Sequence, residues 1–156
     1  MSVLKTLTLV LTAMILVPSG AHLFELPGKI TLDRDSYFTV QGIYAGWALF
    51  AIPIVAAILA NATLFVALRR REPRRAPWAL VSALLVVASL VVFFIWIFPA
   101  NQQTVNWTAT PENWTTLRTN WEYGHAANAG LVFLAFVATC IAAISKPADG
   151  GSGARS

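Results

Sequence analysis

Ile43 to Phe98 reads IYAGWALFAIPIVAAILANATLFVALRRREPRRAPWALVSALLVVASLVVFFIWIF, two long apolar runs joined by a short basic loop. The runs cover about 43–68 and 77–98, and the loop holds Arg69, Arg70, Arg71, Arg74 and Arg75. Crossing the hydrocarbon core of a bilayer takes about 20 mainly apolar residues, so each run is long enough to span. Backbone groups cannot stay unpaired in lipid, so both runs must be helical. Two further stretches, about 4–24 and 121–144, meet the same requirement. The period-two alternation of a membrane barrel is missing. The predicted fold is therefore all-α, an integral membrane four-helix bundle.

Composition agrees. Of 156 residues, 57% are hydrophobic and 12% charged, whereas a soluble domain carries about twice that charge. The net charge of +4 does not point to nucleic acid, because five of the basic residues sit in the 69–75 loop. Positive charge beside helix ends sets orientation. The arginine loop is expected in the cytoplasm together with Lys5, Lys146 and both termini, with the connections 25–42 and 99–120 outside. Trp107, Trp114 and Trp121 then fit an outer-leaflet belt. Cys140 is the single cysteine, which leaves no intrachain disulfide and no thiolate metal cluster.

Local signals extend the spans. Thr110-Pro111-Glu112 is a helix start, with a capping hydroxyl, proline at the first helical position and an acid in the first turn. Asp33 or Asp35 can cap an outer extension of the second helix, which puts Tyr37, Gln41 and Tyr44 on one face. The expected helices run about 4–25, 36–68, 77–98 and 112–145 within one domain, 1–147, followed by a flexible tail at 148–156. Residues 1–21 can also be read as a cleavable signal peptide. Apolar character continuing through Leu23, Phe24 and Leu26 favours a retained helix kinked at Pro18.

Ionisable groups inside a membrane are costly and are functional candidates by default. His22 and Glu25 lie near the outer end of the first span, and Glu122 and His125 near the outer start of the fourth. In each pair a spacing of three puts both side chains on one helical face. The spans run in opposite directions, so the two pairs arrive at similar depth. Two imidazoles and two carboxylates make a plausible shell for one metal, and Glu-x-x-His is a spacing used in helical-bundle metal sites. The donor set suits iron, copper or zinc, with iron or copper preferred. A metal-free reading competes: a polar cluster joining the helices, with Arg118 neutralising Glu122, or a site for a ligand without metal. Tyr37, Gln41, Tyr44 and Trp47 can line a cavity mouth, and Asn101 can approach it. Asn61, deep in the second span, is expected to bond a neighbouring helix. Asn106 and Asn113 match glycosylation acceptors but lack a supporting context. No phosphate loop, nucleophile elbow or dinucleotide fingerprint is present.

The stretches Ala21-His-Leu-Phe-Glu-Leu-Pro-Gly-Lys29, Tyr37-Phe-Thr-Val-Gln-Gly-Ile-Tyr44 with Trp47, Phe98-Pro-Ala-Asn101, Asn113-Trp-Thr-Thr-Leu-Arg118 and Trp121-Glu-Tyr-Gly-His125 resemble a family of small bacterial four-helix membrane proteins. That family is of uncharacterised function and related to anthrone oxygenase-like proteins. The resemblance covers the chain to about residue 145. It implies a membrane bundle and, at a distance, oxygen-dependent oxidation of a hydrophobic phenol. The anthrone oxygenase-like pattern carries over best at Asn101, Trp121 and His125, whereas Glu25 and Glu122 belong to this sequence's own branch.

The expectation is a metal-dependent redox enzyme of the bacterial inner membrane, with its site toward the periplasm. His22, Glu25, Glu122 and His125 would be catalytic and hold the metal. Tyr37, Gln41, Tyr44, Trp47, Asn101 and Arg118 would contact a phenolic or quinol substrate arriving from the lipid. The alternative is a non-catalytic membrane protein that binds a metal, lipid or quinone. It could also be a homo-oligomer or a subunit beside a partner membrane protein.

Overall fold

The computed structural model describes residues 1–144, all helix, turn or loop, with no strand among them. Lys146 and the tail at 148–156 lie outside the described residues. Among the described residues there are six α-helices, five of which build four rods able to cross a membrane, while the short second helix lies outside them. α1 is Ser2–Lys29, α2 is Arg34–Gln41, α3 is Ala51–Arg71, α4 is Ala76–Val92, α5 is Phe98–Gln103 and α6 is Trp114–Ile144. The rods are Ser2–Lys29, Trp47–Arg71, Ala76–Gln103 and Trp114–Ile144, all long and apolar enough to cross a bilayer. The protein is an integral membrane four-helix bundle. α1 packs on α3 and α6, and α4 also packs on α3 and α6, which closes a ring of four.

The bundle turns small residues inward and large ones outward. Ala57, Ala60, Ala79, Ala83, Ala129, Ala135, Ala138 and Ala142 are buried, while Val17, Phe24, Leu59, Leu84 and Phe133 are exposed on the lipid side. Lipid tails are as apolar as leucine, so helix association in a bilayer depends on close packing of small residues and on interhelical hydrogen bonds. Both are present. Thr12, Asn61, Ser82 and Thr139, one from each rod, are fully buried and bonded together. Asn61 Nδ2 donates to Thr12 Oγ1 at 3.1 Å, Thr139 Oγ1 donates to Asn61 Oδ1 at 3.0 Å, and the hydroxyls of Ser82 and Thr139 lie 2.7 Å apart. Asn61 thus joins neighbouring helices, as its depth in an apolar span requires.

Several boundaries differ from the sequence reading. α1 continues to Lys29 rather than 25, staying helical through Pro18 and Pro27. The expected continuous helix 36–68 is broken. α2 is capped by Asp33, whose side chain accepts from the Ser36 N–H at 3.0 Å. It gives way to two short 3-10 turns flanking Gly46 before α3 begins. Gly46 sits at φ 86, a left-handed position that glycine alone occupies without steric cost. The third rod runs past Phe98 to Gln103 through a five-residue π turn, Phe93–Ile97. Thr110-Pro111-Glu112 forms the turn before the fourth rod, which becomes helical at Trp114.

At the arginine end, Lys5 Nζ donates to Glu72 at 2.9 Å and Arg75 also pairs with Glu72. Arg75 is buried, whereas Arg69, Arg70, Arg71 and Arg74 are exposed.

Candidate functional site

His22, Glu25 and Lys29 follow one face of α1 at spacings of three and four, and Trp121, Glu122 and His125 face them from α6. The imidazoles of His22 and His125 meet with ring centroids 3.8 Å apart. Three more rings surround His22: Tyr44 at 4.7 Å, Trp121 at 5.0 Å and Trp47 at 5.2 Å. The two helices expected to supply the histidines therefore do bring them together, inside an aromatic box.

The carboxylates take other partners. Glu122 is fully buried, and its Oε1 accepts from the Tyr37 hydroxyl at 2.9 Å and lies 3.1 Å from Lys29 Nζ. The Glu25 carboxylate accepts from the Tyr44 hydroxyl. Lys29 Nζ donates to that same hydroxyl at 2.8 Å, and Gln41 Nε2 donates to the Tyr37 hydroxyl at 2.6 Å. One chain of contacts thus runs Gln41, Tyr37, Glu122, Lys29, Tyr44, Glu25, joining α1, α2, the turn after α2 and α6. Burial, and then the charge of Glu122, push the Tyr37 pKa up; burial, and then the bond to Glu25, do the same for Tyr44. Both phenols stay neutral and keep their O–H donors.

Lys29 is the residue that sequence reasoning missed. Its ammonium is buried, 4.3 Å from the Trp121 ring centroid and 4.4 Å from that of Tyr44. The signal was available, since Glu25 and Lys29 stand at the i,i+4 spacing of a helical ion pair. Ending α1 at 25 put Lys29 in a loop. Arg118 does not neutralise Glu122: its Nη1 donates to the Leu32 carbonyl at 2.7 Å, and its guanidinium covers Trp114 at 4.7 Å. Lys29 has that role.

Asn101 lies behind the box, where its Oδ1 accepts from both Trp121 Nε1 at 2.9 Å and Trp107 Nε1 at 3.1 Å. Those tryptophans are not a lipid belt. Trp107 and Trp121 are 7% and 3% exposed and pack with Tyr37, Ile97, Ala100 and Leu117 as an aromatic core, with Trp114 against it. Val105, Asn106 and Trp107 all have positive φ, a costly conformation for L residues. It is tied down by the Asn106 N–H on the Asn101 carbonyl at 2.7 Å and the Trp107 N–H on Thr104 Oγ1 at 3.0 Å.

As arranged, His22, Glu25, Glu122 and His125 do not form one donor shell. Both carboxylates are engaged by phenols, and Lys29 lies against Glu122. Among the described residues no group of three or more His, Cys, Asp or Glu stands in metal-holding geometry. What the cluster does leave open are buried polar atoms without partners: His22 Nδ1, Gln41 Oε1 and Glu122 Oε2. Comparison with protein-family models, with curated proteins and with solved structures finds no match.

Proposed function

We propose that this protein binds the hydroxyl-bearing head of a hydrophobic phenol or quinol, drawn from the bilayer into the cluster around His22 and His125. The observation that carries this reading is the set of three unpartnered buried atoms, Glu122 Oε2, Gln41 Oε1 and His22 Nδ1. Leaving such a group unsatisfied costs about 1–3 kcal/mol, so a ligand that donates to them offsets a standing penalty. A carboxylate and an amide oxygen accept from hydroxyls, and an imidazole nitrogen accepts or donates according to its tautomer. The aromatic walls favour a flat ring, through offset or edge contacts. The arginine loop supports placing both termini in the cytoplasm and the cluster toward the periplasmic side of a bacterial inner membrane.

A metal-dependent oxidase or oxygenase is the second reading. It is favoured by the adjacent imidazoles and by the likeness to anthrone oxygenase-like proteins at Asn101, Trp121 and His125. It requires Glu25 or Glu122 to exchange its present partner for an ion, iron or copper before zinc. In the oxidase form two quinols pass four electrons and four protons to one O2, giving two quinones and two waters. The test uses folded, monodisperse protein in mild detergent. Methylhydroquinone should change the emission of Trp47 and Trp121, and the response should weaken in Gln41→Leu. No response in the wild-type protein would end the binding reading. Metal near one per chain together with quinol-dependent oxygen uptake would move the assignment to the enzyme.

A further inference from the structure

An apolar groove of about 530 Å3 follows the seam between α1 and α6, lined among others by Val17, Gly20, Ala21, Phe24, Ala129 and Gly130. On α1 it runs from Leu16 to Phe24, roughly 12 Å at 1.5 Å per residue. Its outer end is level with the cluster: Ala21, Leu23 and Phe24 flank His22 along α1, Ala129 lies one turn from His125 on α6, and the two imidazoles bridge the same two helices. Two glycines and two alanines are part of its lining, which leaves room along the seam. A Cβ built on Gly130 meets nothing within 4 Å, and one on Gly20 meets only the Phe24 ring, at 4.0 Å.

Resting on the binding reading above, we propose that the α1–α6 groove holds the apolar chain of the ligand whose head occupies the histidine cluster. The ligand class is thereby an amphiphile, a phenol or quinol with a long hydrocarbon tail, that enters sideways from the membrane. Three features place head and tail in this order. Three unpartnered atoms on residues at least nine-tenths buried, His22 Nδ1, Gln41 Oε1 and Glu122 Oε2, lie in the cluster. The groove wall is almost wholly apolar. Its volume falls within the 300–1,000 Å3 typical of small-molecule sites. In lipid a tail gains little from desolvation, so the groove acts through packing and by fixing the direction of approach.

The experiment uses the full chain in phosphatidylcholine nanodiscs and a long-chain alkylhydroquinone carrying a diazirine on its tail. Photolabelling should concentrate on residues 16–24 and 129–133. Excess methylhydroquinone should reduce it, because the short compound competes for the head site only. Gly130→Leu should lower labelling by about tenfold while leaving the tryptophan response to methylhydroquinone intact. Gly20→Leu fills the groove from the other helix and should do the same, which guards against one variant folding poorly. Labelling spread over the lipid faces of α3 and α4, or unchanged by both fillings, would overturn the inference. So would equal labelling of the groove by a photoreactive phosphatidylcholine that methylhydroquinone does not displace. Loss of the methylhydroquinone response in the wild-type protein is a separate failure, that of the head-binding reading.

Discussion

Lys29 Nζ lies 3.1 Å from Glu122 Oε1, with the side chains 5% and 0% exposed. This buried ion pair ties the end of α1 to the start of α6. Two ions removed from water recover their desolvation cost only when additional hydrogen bonds complete the geometry. Here Tyr44 and Tyr37 provide them. Lys29→Met leaves a buried carboxylate without its cation and should destabilise the bundle by about 3–5 kcal/mol. Lys29→Met with Glu122→Gln should regain much of that loss. Thermal unfolding in detergent would check both, and a double variant no better than the single one would remove the pair from the account.

The four-helix node gives a milder expectation. Thr139→Val keeps the shape of the side chain but removes the hydroxyl that contacts Asn61 and Ser82. Hydrogen bonds between membrane helices average about 0.6 kcal/mol with a maximum near 1.7. The loss should lie toward the upper end, because Asn61 Oδ1 is left buried without its donor. Equilibrium unfolding in mixed micelles measures it, and Thr63→Val, whose hydroxyl is exposed and bonds its own helix at Leu59, is the neutral control.

The sequence carried the bundle because its signal is long and redundant: four apolar runs, each near the span length, leave few other folds. It also brought His22 and His125 together, since two antiparallel spans with polar pairs at matching depth must meet at that depth. What it could not carry was partner choice. Glu122 lies within reach of His125, Arg118, Tyr37 and Lys29, and sequence spacing along one helix does not decide among partners on others. Lys29 was hidden by a helix end set four residues early. The break at Gly46 and the π turn at Phe93–Ile97 stayed hidden because neither alters the hydrophobic run that contains it.

Asn101 should matter more than a loop-capping asparagine would. It accepts from the indole N–H of both Trp107 and Trp121, and its carbonyl holds the left-handed turn at Asn106. Asn101→Ala leaves two donors without partners, about 1–3 kcal/mol each where buried. We expect a lower melting temperature and a red-shifted tryptophan emission as Trp107 loosens. Asn101→Leu should behave alike, and an unchanged spectrum in both would show that the turn holds without the side chain.

Acid should loosen the arginine end first. The hydrogen bond from Lys5, helped by the charges of Lys5 and Arg75, holds the Glu72 pKa below its ordinary value. A depressed carboxylate contributes stability that is complete above its unfolded-state pKa, about 4.3. That contribution is lost as pH falls through the lower folded-state value. Between neutral pH and about 5 the link of α1 to the 69–75 loop should therefore hold, and below about 4 it should weaken. Hydrogen exchange around Glu72 and Lys5, compared with Glu72→Gln, checks the sign. The variant should show the loosened pattern already at neutral pH and lose the pH dependence.

The last expectation contrasts two glycines on one helix. Gly124 faces the π turn, where a Cβ would sit 2.9 Å from Ile97 Cγ1 and 3.3 Å from Trp96 Cβ, while at Gly130 a Cβ meets nothing within 4 Å. The π turn and α6 can approach this closely only because residue 124 has no side chain. Ile97 is fully buried in the aromatic core that backs Trp121, so it has little room to retreat. Gly124→Ala should destabilise by about 1–3 kcal/mol through overpacking, and its effect should reach Trp121, one turn away. Gly130→Ala should instead be neutral or stabilising by up to about 1 kcal/mol, since alanine restricts the unfolded chain and suits a helix interior. Melting temperature and tryptophan emission measured on both variants check the contrast. Equal behaviour of the two would mean that α6 and the π turn shift apart freely, and that this contact does not position the wall of the site.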